Sequence, residues 1–328
     1  MRPKELADQV RNGDRRALAR AITLIESSRP EDREPANEVL EILTPHAGDA
    51  MRIGISGVPG VGKSTFIEAF GNHVIAEGHR IAVLAVDPSS AISGGSILGD
   101  KTRMETLSRN LDAFIRPSPA GTTLGGVTRH TRETMRIVEA AGFDVVVVET
   151  VGVGQSETAV AEMTDMFLLL LLPGGGDELQ GIKRGIVELA DMVIVNKADG
   201  DLAPAAGRAA ADYRGALGFL HPRNADWTVP VETCSALEGQ GIDVVWQTVE
   251  RYREAMQANG EFDARRAAQA RAWLWSEVSA TLLESLRQDD GLRQQVAALE
   301  QAVADGKTSP WVAAQQLVDS FQQRRQQQ

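Results

Sequence analysis

Gly57-Val58-Pro59-Gly60-Val61-Gly62-Lys63-Ser64-Thr65 is the stretch whose reading decides the fold. Gly57 and Gly62 bracket four residues, and a lysine and two hydroxyl residues follow, which is the spacing of a phosphate-binding P-loop. The glycines let the backbone fold into a nest of N–H groups aimed at phosphate oxygens. Lys63 supplies a point charge for the β- and γ-phosphates, and Ser64 offers a hydroxyl to Mg²⁺. A helix starting at the loop adds its positive end to the same anion. The flanks agree. Arg52-Ile53-Gly54-Ile55-Ser56 is a short strand-like run, and Phe66, Ile67, Phe70, Val74 and Ile75 recur at helical spacing before Gly78.

Outward from that loop, strand-like segments at 51–56, 81–86, 112–115, 144–149, 165–172, 192–196 and 228–233 alternate with helical ones at 64–77, 127–141, 180–190, 203–218 and 240–257. Strands apolar on both sides, such as the valine run 145–148, belong in a parallel sheet. The prediction for residues 49–258 is an α/β P-loop NTPase domain. Its mostly parallel sheet carries helices on both faces and its ligand at the carboxyl ends of the strands. Residues 1–48 read as an N-terminal helical extension with buried stripes at Leu6 and Val10, at Leu18, Ile22 and Ile25, and at Val39, Leu40 and Leu43. Asp14 is the expected N-cap of its second helix. Residues 259–328 read as three short amphipathic helices separated by Gly291 and Gly306. Such helices need a partner surface, and a homodimerisation arm is expected ahead of packing on the same chain.

Among the 328 residues, 45 acidic side chains outnumber 34 basic ones, for a net charge of −11. That balance argues against nucleic-acid or anionic-membrane partners held by broad electrostatics. The single cysteine, Cys234, rules out an intrachain disulfide and fits a reducing compartment. The N-terminus lacks the apolar run of a signal peptide, and Met166–Leu172 is too short to span a bilayer. A soluble, cytoplasmic protein is expected. The histidines at 46, 73, 79, 130 and 221 match no metal-ligand spacing.

Three further motifs carry chemistry. On the phosphate side, Asp87-Pro88-Ser89-Ser90 ends the second strand, where Asp87 can reach a Mg²⁺-bound water; Asp100 follows in a glycine-flanked polar loop, placed to bind Mg²⁺ indirectly or to orient the attacking water. Thr102 and Arg103 are weaker candidates there. Glu149-Thr150-Val151-Gly152 ends the valine-rich strand in a switch II arrangement, the acid facing Mg²⁺ and the glycine N–H facing the γ-phosphate. Val153 stands where a water-orienting glutamine is usual, and Gln155 is close by, so slow unaided hydrolysis is expected.

Asn196-Lys197-Ala198-Asp199 is the base reader. Asp199 can accept both guanine N1–H and N2–H, a charge-assisted pair that adenine cannot make. Asn196 is expected to tie this loop to the P-loop, and the Lys197 stem to lie along the base. Ser235-Ala236-Leu237 is expected to supply a backbone N–H to guanine O6, with Cys234 a small neighbour and no nucleophile. Finally, Gly174 to Gly176 precede Asp177, Glu178 and Lys183, which read either as salt-bridging switch residues or as an acidic helix start. Arg129 and Arg132 suit a solvated helix face better than an internal arginine finger.

With these motifs in place, the chain resembles the MeaB/ArgK family, G proteins of the SIMIBI class that chaperone adenosylcobalamin-dependent methylmalonyl-CoA mutase. The likeness covers the whole chain, including both helical extensions. It implies a homodimer and Mg²⁺-dependent hydrolysis of GTP to GDP and phosphate. It also implies gated cofactor delivery to the mutase, protection of the mutase, and a role for the 174–183 loop as an extra switch between mutase and GTP. Other functions weigh less. For a kinase linked to amino-acid transport, Asp199 argues for GTP over ATP. A nickel metallochaperone GTPase is disfavoured by one cysteine and scattered histidines. A signal-recognition-type GTPase wants a Met-rich groove or a basic face.

Overall fold

The computed structural model describes residues 2–27, 29–86, 104–117, 124–150, 156–174, 184–219, 224 and 226–325, with only the backbone for 124–127 and 184. The chain divides into two compact units, Met1–Asp263 and Ala264–Gln328.

The first unit opens with α1 (Pro3–Arg11), α2 (Arg15–Ile25) and α3 (Pro30–Leu43). Proline at the first turn starts α1 and α3, where its missing N–H costs nothing. Asp14 caps α2 as expected, its carboxylate accepting from Arg16 N and Ala17 N. The sheet follows: β1 (Met51–Gly57), α4 (Lys63–Ala76), β2 (Ile81–Val86), α5 (Glu105–Arg109), β3 (Ala113–Arg116), α6 (Leu124–Ala140), β4 (Val145–Thr150), α7 (Ser156–Met163) and β5 (Met166–Leu171). It closes with α8 (Arg184–Val187), β6 (Met192–Val195), α9 (Ala203–Leu217), β7 (Val231–Thr233) and α10 (Ile242–Ala258).

All seven strands pair in parallel in the order β3-β2-β4-β1-β5-β6-β7. Every expected strand forms, with small shifts at the ends. α5 and α7 were not anticipated, since five and eight residues are too few to show a helical period.

Strand order is what builds the site. β4 slots between β1 and β2, so Glu149 lies across from Ile55 of β1 and Ala85 of β2, two residues from the start of the P-loop. On one face, Phe66 and Phe70 of α4 stack at 5.6 Å and Trp246 of α10 meets Phe70 edge-on at 5.9 Å, over Ile53, Ile55, Val147 and Leu168. At the amino end of the sheet, buried Arg52 grips Glu139 of α6 through Nε at 2.6 Å and Nη2 at 3.1 Å. The N-terminal helices pack on α6, and Arg15 reaches the carbonyls of Asn110 and Leu111 at 3.3 and 2.7 Å.

The second unit contains most of α11 (Glu261–Gln288), then α12 (Arg293–Ala304) and α13 (Pro310–Arg325). The first of these helices is 28 residues long and not short as expected. No glycine or proline interrupts it, and good helix formers fill it. Asp289 stops the run by accepting from Gly291 N at 2.8 Å and pairing with Arg324 at 3.4 Å. Leu292 and Ala313 are buried, whereas Leu274, Trp275, Leu282 and Trp311 are exposed. No described helix is long and apolar enough to cross a membrane.

Candidate nucleotide site

The loop after β1 turns into α4 through Gly60 and Gly62, at φ 82° and 90°. A Cβ at Gly62 would also stand 3.0 Å from the Asn196 amide nitrogen, so both conformation and space demand glycine there. Val58 and Pro59 carry the turn, and Val61 N donates to Val58 O at 3.2 Å. Buried Val61 anchors the loop in the core. Lys63, Ser64 and Thr65 form the first turn of α4, with Thr65 exposed and Ser64 half-buried. Lys63 Nζ donates to Gly57 O at 2.8 Å, curling back over its own loop. Burial holds its ammonium below the ordinary lysine value, and the nearby carboxylates of Glu149 and Glu157 offset part of that.

The base loop is tied in as the sequence suggested. Asn196 is buried, donates to Val61 O at 2.8 Å, and accepts from Ala236 N at 3.1 Å. Lys197 takes a φ of 60°, unusual for a residue with a side chain, and its Nζ reaches Gly60 O at 2.8 Å. Asp199 accepts a short hydrogen bond from the Ser235 hydroxyl, which also accepts from Glu238 N at 3.1 Å. Ser235 N donates to Gln240 O at 3.0 Å. Ala236 N and Ser235 N thus both donate within the protein. Leu237 is 81% exposed at the lip of the loop. Burial pushes the Cys234 thiol up to about 12, so it stays protonated and is no nucleophile.

The structure therefore brings together the P-loop, Glu149, Asn196, Lys197, Asp199 and the 235–237 trio at one edge of the sheet. Asp87, Asp100, Gly152, Asp177, Glu178 and Lys183 lie outside the described residues, as do Thr102, Arg103 and Gln155. Two contributors escaped sequence reasoning. Glu157, only 4% exposed on α7, faces Lys63 electrostatically, and its burial has no periodic signal in so short a helix. Ser56 accepts from Thr150 Oγ1 at 2.9 Å, a bond that locks the ends of β1 and β4 and depends on strand order alone. Arg129 pairs with Glu133 at 3.4 Å and Arg132 Nε donates to Thr128 O at 3.2 Å, both within α6.

The parallel sheet, with a glycine loop and helix after its central strand, defines a P-loop NTPase. The chain belongs to the family described as methylmalonyl Co-A mutase-associated GTPase MeaB, whose model matches residues 18–290. It is 44% identical over 314 residues to the Escherichia coli protein named GTPase ArgK, covering 96% of this chain and 95% of that one. A Mus musculus protein named methylmalonic aciduria type A homolog, mitochondrial, is 48% identical over 322 residues, 95% of this chain and 78% of that one. A solved structure described as LAO/AO transport system kinase superposes with a TM-score of 0.77 at 38% identity, covering 98% and 97% of the two chains.

Proposed function

We propose that this GTPase-family chain is a Mg²⁺-dependent, homodimeric G-protein chaperone, gating adenosylcobalamin delivery to methylmalonyl-CoA mutase and protecting that enzyme. The observation that carries the nucleotide half is the Asn196 bridge from Val61 O to Ala236 N, which makes the phosphate cradle and the base reader one hydrogen-bonded unit. GTP and GDP lie along it. Asp199, oriented by Ser235, reads the guanine edge; the Lys197 stem lies along the base; the backbone of 57–62 wraps the phosphates; Lys63 leaves Gly57 O for the β- and γ-phosphates. Gly152 N–H meets the γ-phosphate.

For the metal, the Ser64 hydroxyl and the Glu149 carboxylate are the hard oxygen donors Mg²⁺ prefers, with Asp87 and Asp100 acting directly or through water. Bound there, Mg²⁺ supplies charge neutralisation on the β- and γ-phosphate oxygens. Asp177, Glu178 and Lys183 form the additional switch. The working division is 1–48 as helical extension, 49–258 as G domain and 259–328 as dimerisation arm, the last supported by the exposed Trp275, Leu282 and Trp311. A cytoplasmic location fits the single reduced cysteine.

The mutase partnership draws on the family description and on the name of the mouse relative. Its test is capture of methylmalonyl-CoA mutase by this chain loaded with GTP or with GDP. Retention that depends on the nucleotide supports the chaperone role, and equal failure in both states refutes it. The kinase named in the solved relative predicts phosphate transfer from GTP or ATP to a protein acceptor, which radiolabelled nucleotide would reveal.

A further inference from the structure

Asn196 carries one amide across the two halves of the nucleotide site. Its Nδ2 donates to Val61 O at 2.8 Å, and a Cβ at Gly62 would stand only 3.0 Å from that nitrogen. At the other end, Oδ1 accepts from Ala236 N at 3.1 Å. An amide oxygen has two lone pairs, and the second is met by Cys234, whose Sγ lies 3.5 Å from Oδ1. Burial pushes the thiol pKa up to about 12, so the sulfur brings a proton to the contact. Turned over, the amide would set its N–H groups against the Ala236 N–H and the thiol proton, donor against donor.

The backbone holds Cys234 to this contact. Its N–H donates to Val195 O at 2.9 Å and its carbonyl accepts from Ala198 N at 3.0 Å, so it is fastened on both sides of Asn196 in sequence. Behind it, Gly241 takes a φ of 74°, and a Cβ there would stand 2.6 Å from Thr233 O and 3.4 Å from Cys234 Cα and Cβ. Cys234 and Asn196 are both buried, which shields the contact from bulk water. A buried free cysteine usually packs as a small apolar residue. Here the sulfur also completes the hydrogen bonding of a polar neighbour.

We propose that Cys234 is a positioning residue for guanine-nucleotide binding. Its thiol donates to Asn196 Oδ1 and holds the amide in the orientation that fastens the base loop to the P-loop, without touching the nucleotide. The inference rests on the reading of 57–65 and 196–199 as one GTP site.

The test is calorimetry on the full chain with GDP and a non-hydrolysable GTP analogue, with GTP turnover and nucleotide-free Tm in parallel, for the parent, Cys234→Ala and Cys234→Ser. Cys234→Ala should weaken both nucleotides alike by about fivefold, the weight of one net hydrogen bond, raising KM with kcat little changed. Cys234→Ser keeps a donor and should recover most of the loss. A second readout needs no change at the cysteine. Cys234 is the only cysteine, so the infrared S–H stretching band reports this thiol alone. The band should move to higher frequency in Asn196→Ala, where the acceptor is gone. An unshifted band, or parent-like nucleotide affinity in Cys234→Ala, overturns the positioning role and leaves the GTPase reading standing. Equal losses in the Ala and Ser variants, with Tm falling in step, overturn it in favour of packing. A parent that binds neither nucleotide takes down both.

Discussion

Glu139 and Glu149 are both buried, 6% and 7% exposed, at opposite ends of the same sheet. They differ in what they face. Glu139, at the amino end, is held in a bidentate pair by Arg52, whose own backbone N–H donates to Asp165 at 2.8 Å. Glu149, at the carboxyl end, faces the lysine of a phosphate loop, and its field helps keep that lysine charged against burial. The first carboxylate closes a charge system within the fold. The second belongs to a system built to receive another charge. Burial of an acidic residue therefore does not mark function by itself; the nature of its partner does.

The difference is sharpest on removal. Glu139→Ala leaves Arg52 buried without its counter-charge, beside Arg136, whose pKa burial and the Arg52 charge already lower. The expected loss is about 3–5 kcal/mol in urea unfolding, with GTP-over-ATP preference unchanged in the fraction that folds. Replacing both partners, as Arg52→Met with Glu139→Leu, should cost less than the single change, because the bidentate pair is removed whole and only the weaker couplings of Arg52 to Asp165 and of Glu139 to Arg136 are lost. Equal costs for single and double variants would mean that packing, not charge closure, holds this end.

Lys63→Ala at the other end should spare the fold and damage turnover, about a hundredfold or more in kcat, as for the loss of one preorganised transition-state donor. pH sharpens the contrast. Burial lowers the Lys63 pKa, so in the ligand-free protein its charge is lost below the ordinary lysine value of 10.5. Between the lowered folded value and 10.5 the unfolded chain binds more protons, so this group alone makes stability rise with pH across that window. The kcat/KM for GTP, which reports the ligand-free enzyme, falls over the same range, whereas bound phosphates keep the amine charged at saturation. A kcat/KM profile flat to the alkaline end would argue against a role for the Lys63 charge.

Much of the carboxyl edge is legible in the sequence because its chemistry is local. Lys63, Ser64, Asn196 and Asp199 sit in short runs whose spacing is dictated by a nucleotide, and the valine-rich strands announce a buried parallel sheet. What was not legible depends on contacts between distant segments. Arg52 and Glu139 are 87 residues apart, Glu68 and Thr106 are 38 apart, and Thr150 meets Ser56 only because β4 inserts beside β1. In the second unit the three helices form with breaks around Gly291 and Gly306 as expected, and only the length of the first differs, because the absence of any breaker from Glu261 to Gln288 lets it run on.

Asp199 stands between the two glutamates in character, half-buried and held by the Ser235 hydroxyl. Asp199→Asn exchanges an acceptor-only carboxylate for an amide that presents a donor to the same guanine edge. Preference for GTP over ATP should fall by about 1.5–3 kcal/mol, the worth of hydrogen bonds to a charged group, measured by calorimetry with both nucleotides. Ser235→Ala removes only the orienting hydroxyl and should lower the preference less, by about 1 kcal/mol. If Asp199→Asn and the parent discriminate equally, the base is read elsewhere and the carboxyl edge loses its claim to specificity.

Asp14 completes the series as a carboxylate on the surface, satisfied entirely by its own helix. Backbone N–H groups of Ala17 and Arg16 hold its pKa below 3.8. A lowered folded value means that its contribution is present above the unfolded pKa and is lost as pH falls through the folded one. Asp14→Ala should therefore lower Tm by a few degrees near neutral pH, and by progressively less as acid protonates the parent cap. Asp14→Asn keeps an acceptor oxygen but cannot titrate, so it should retain part of the stability and lose the parent's acid dependence at this site. Turnover of GTP should be untouched in both, since α2 packs on α6 and, among the described residues, contributes none to the nucleotide edge. A nucleotide-dependent Tm difference between parent and Asp14→Ala would instead show that the N-terminal helices respond to the bound ligand, and the separation between structural and functional carboxylates would need redrawing.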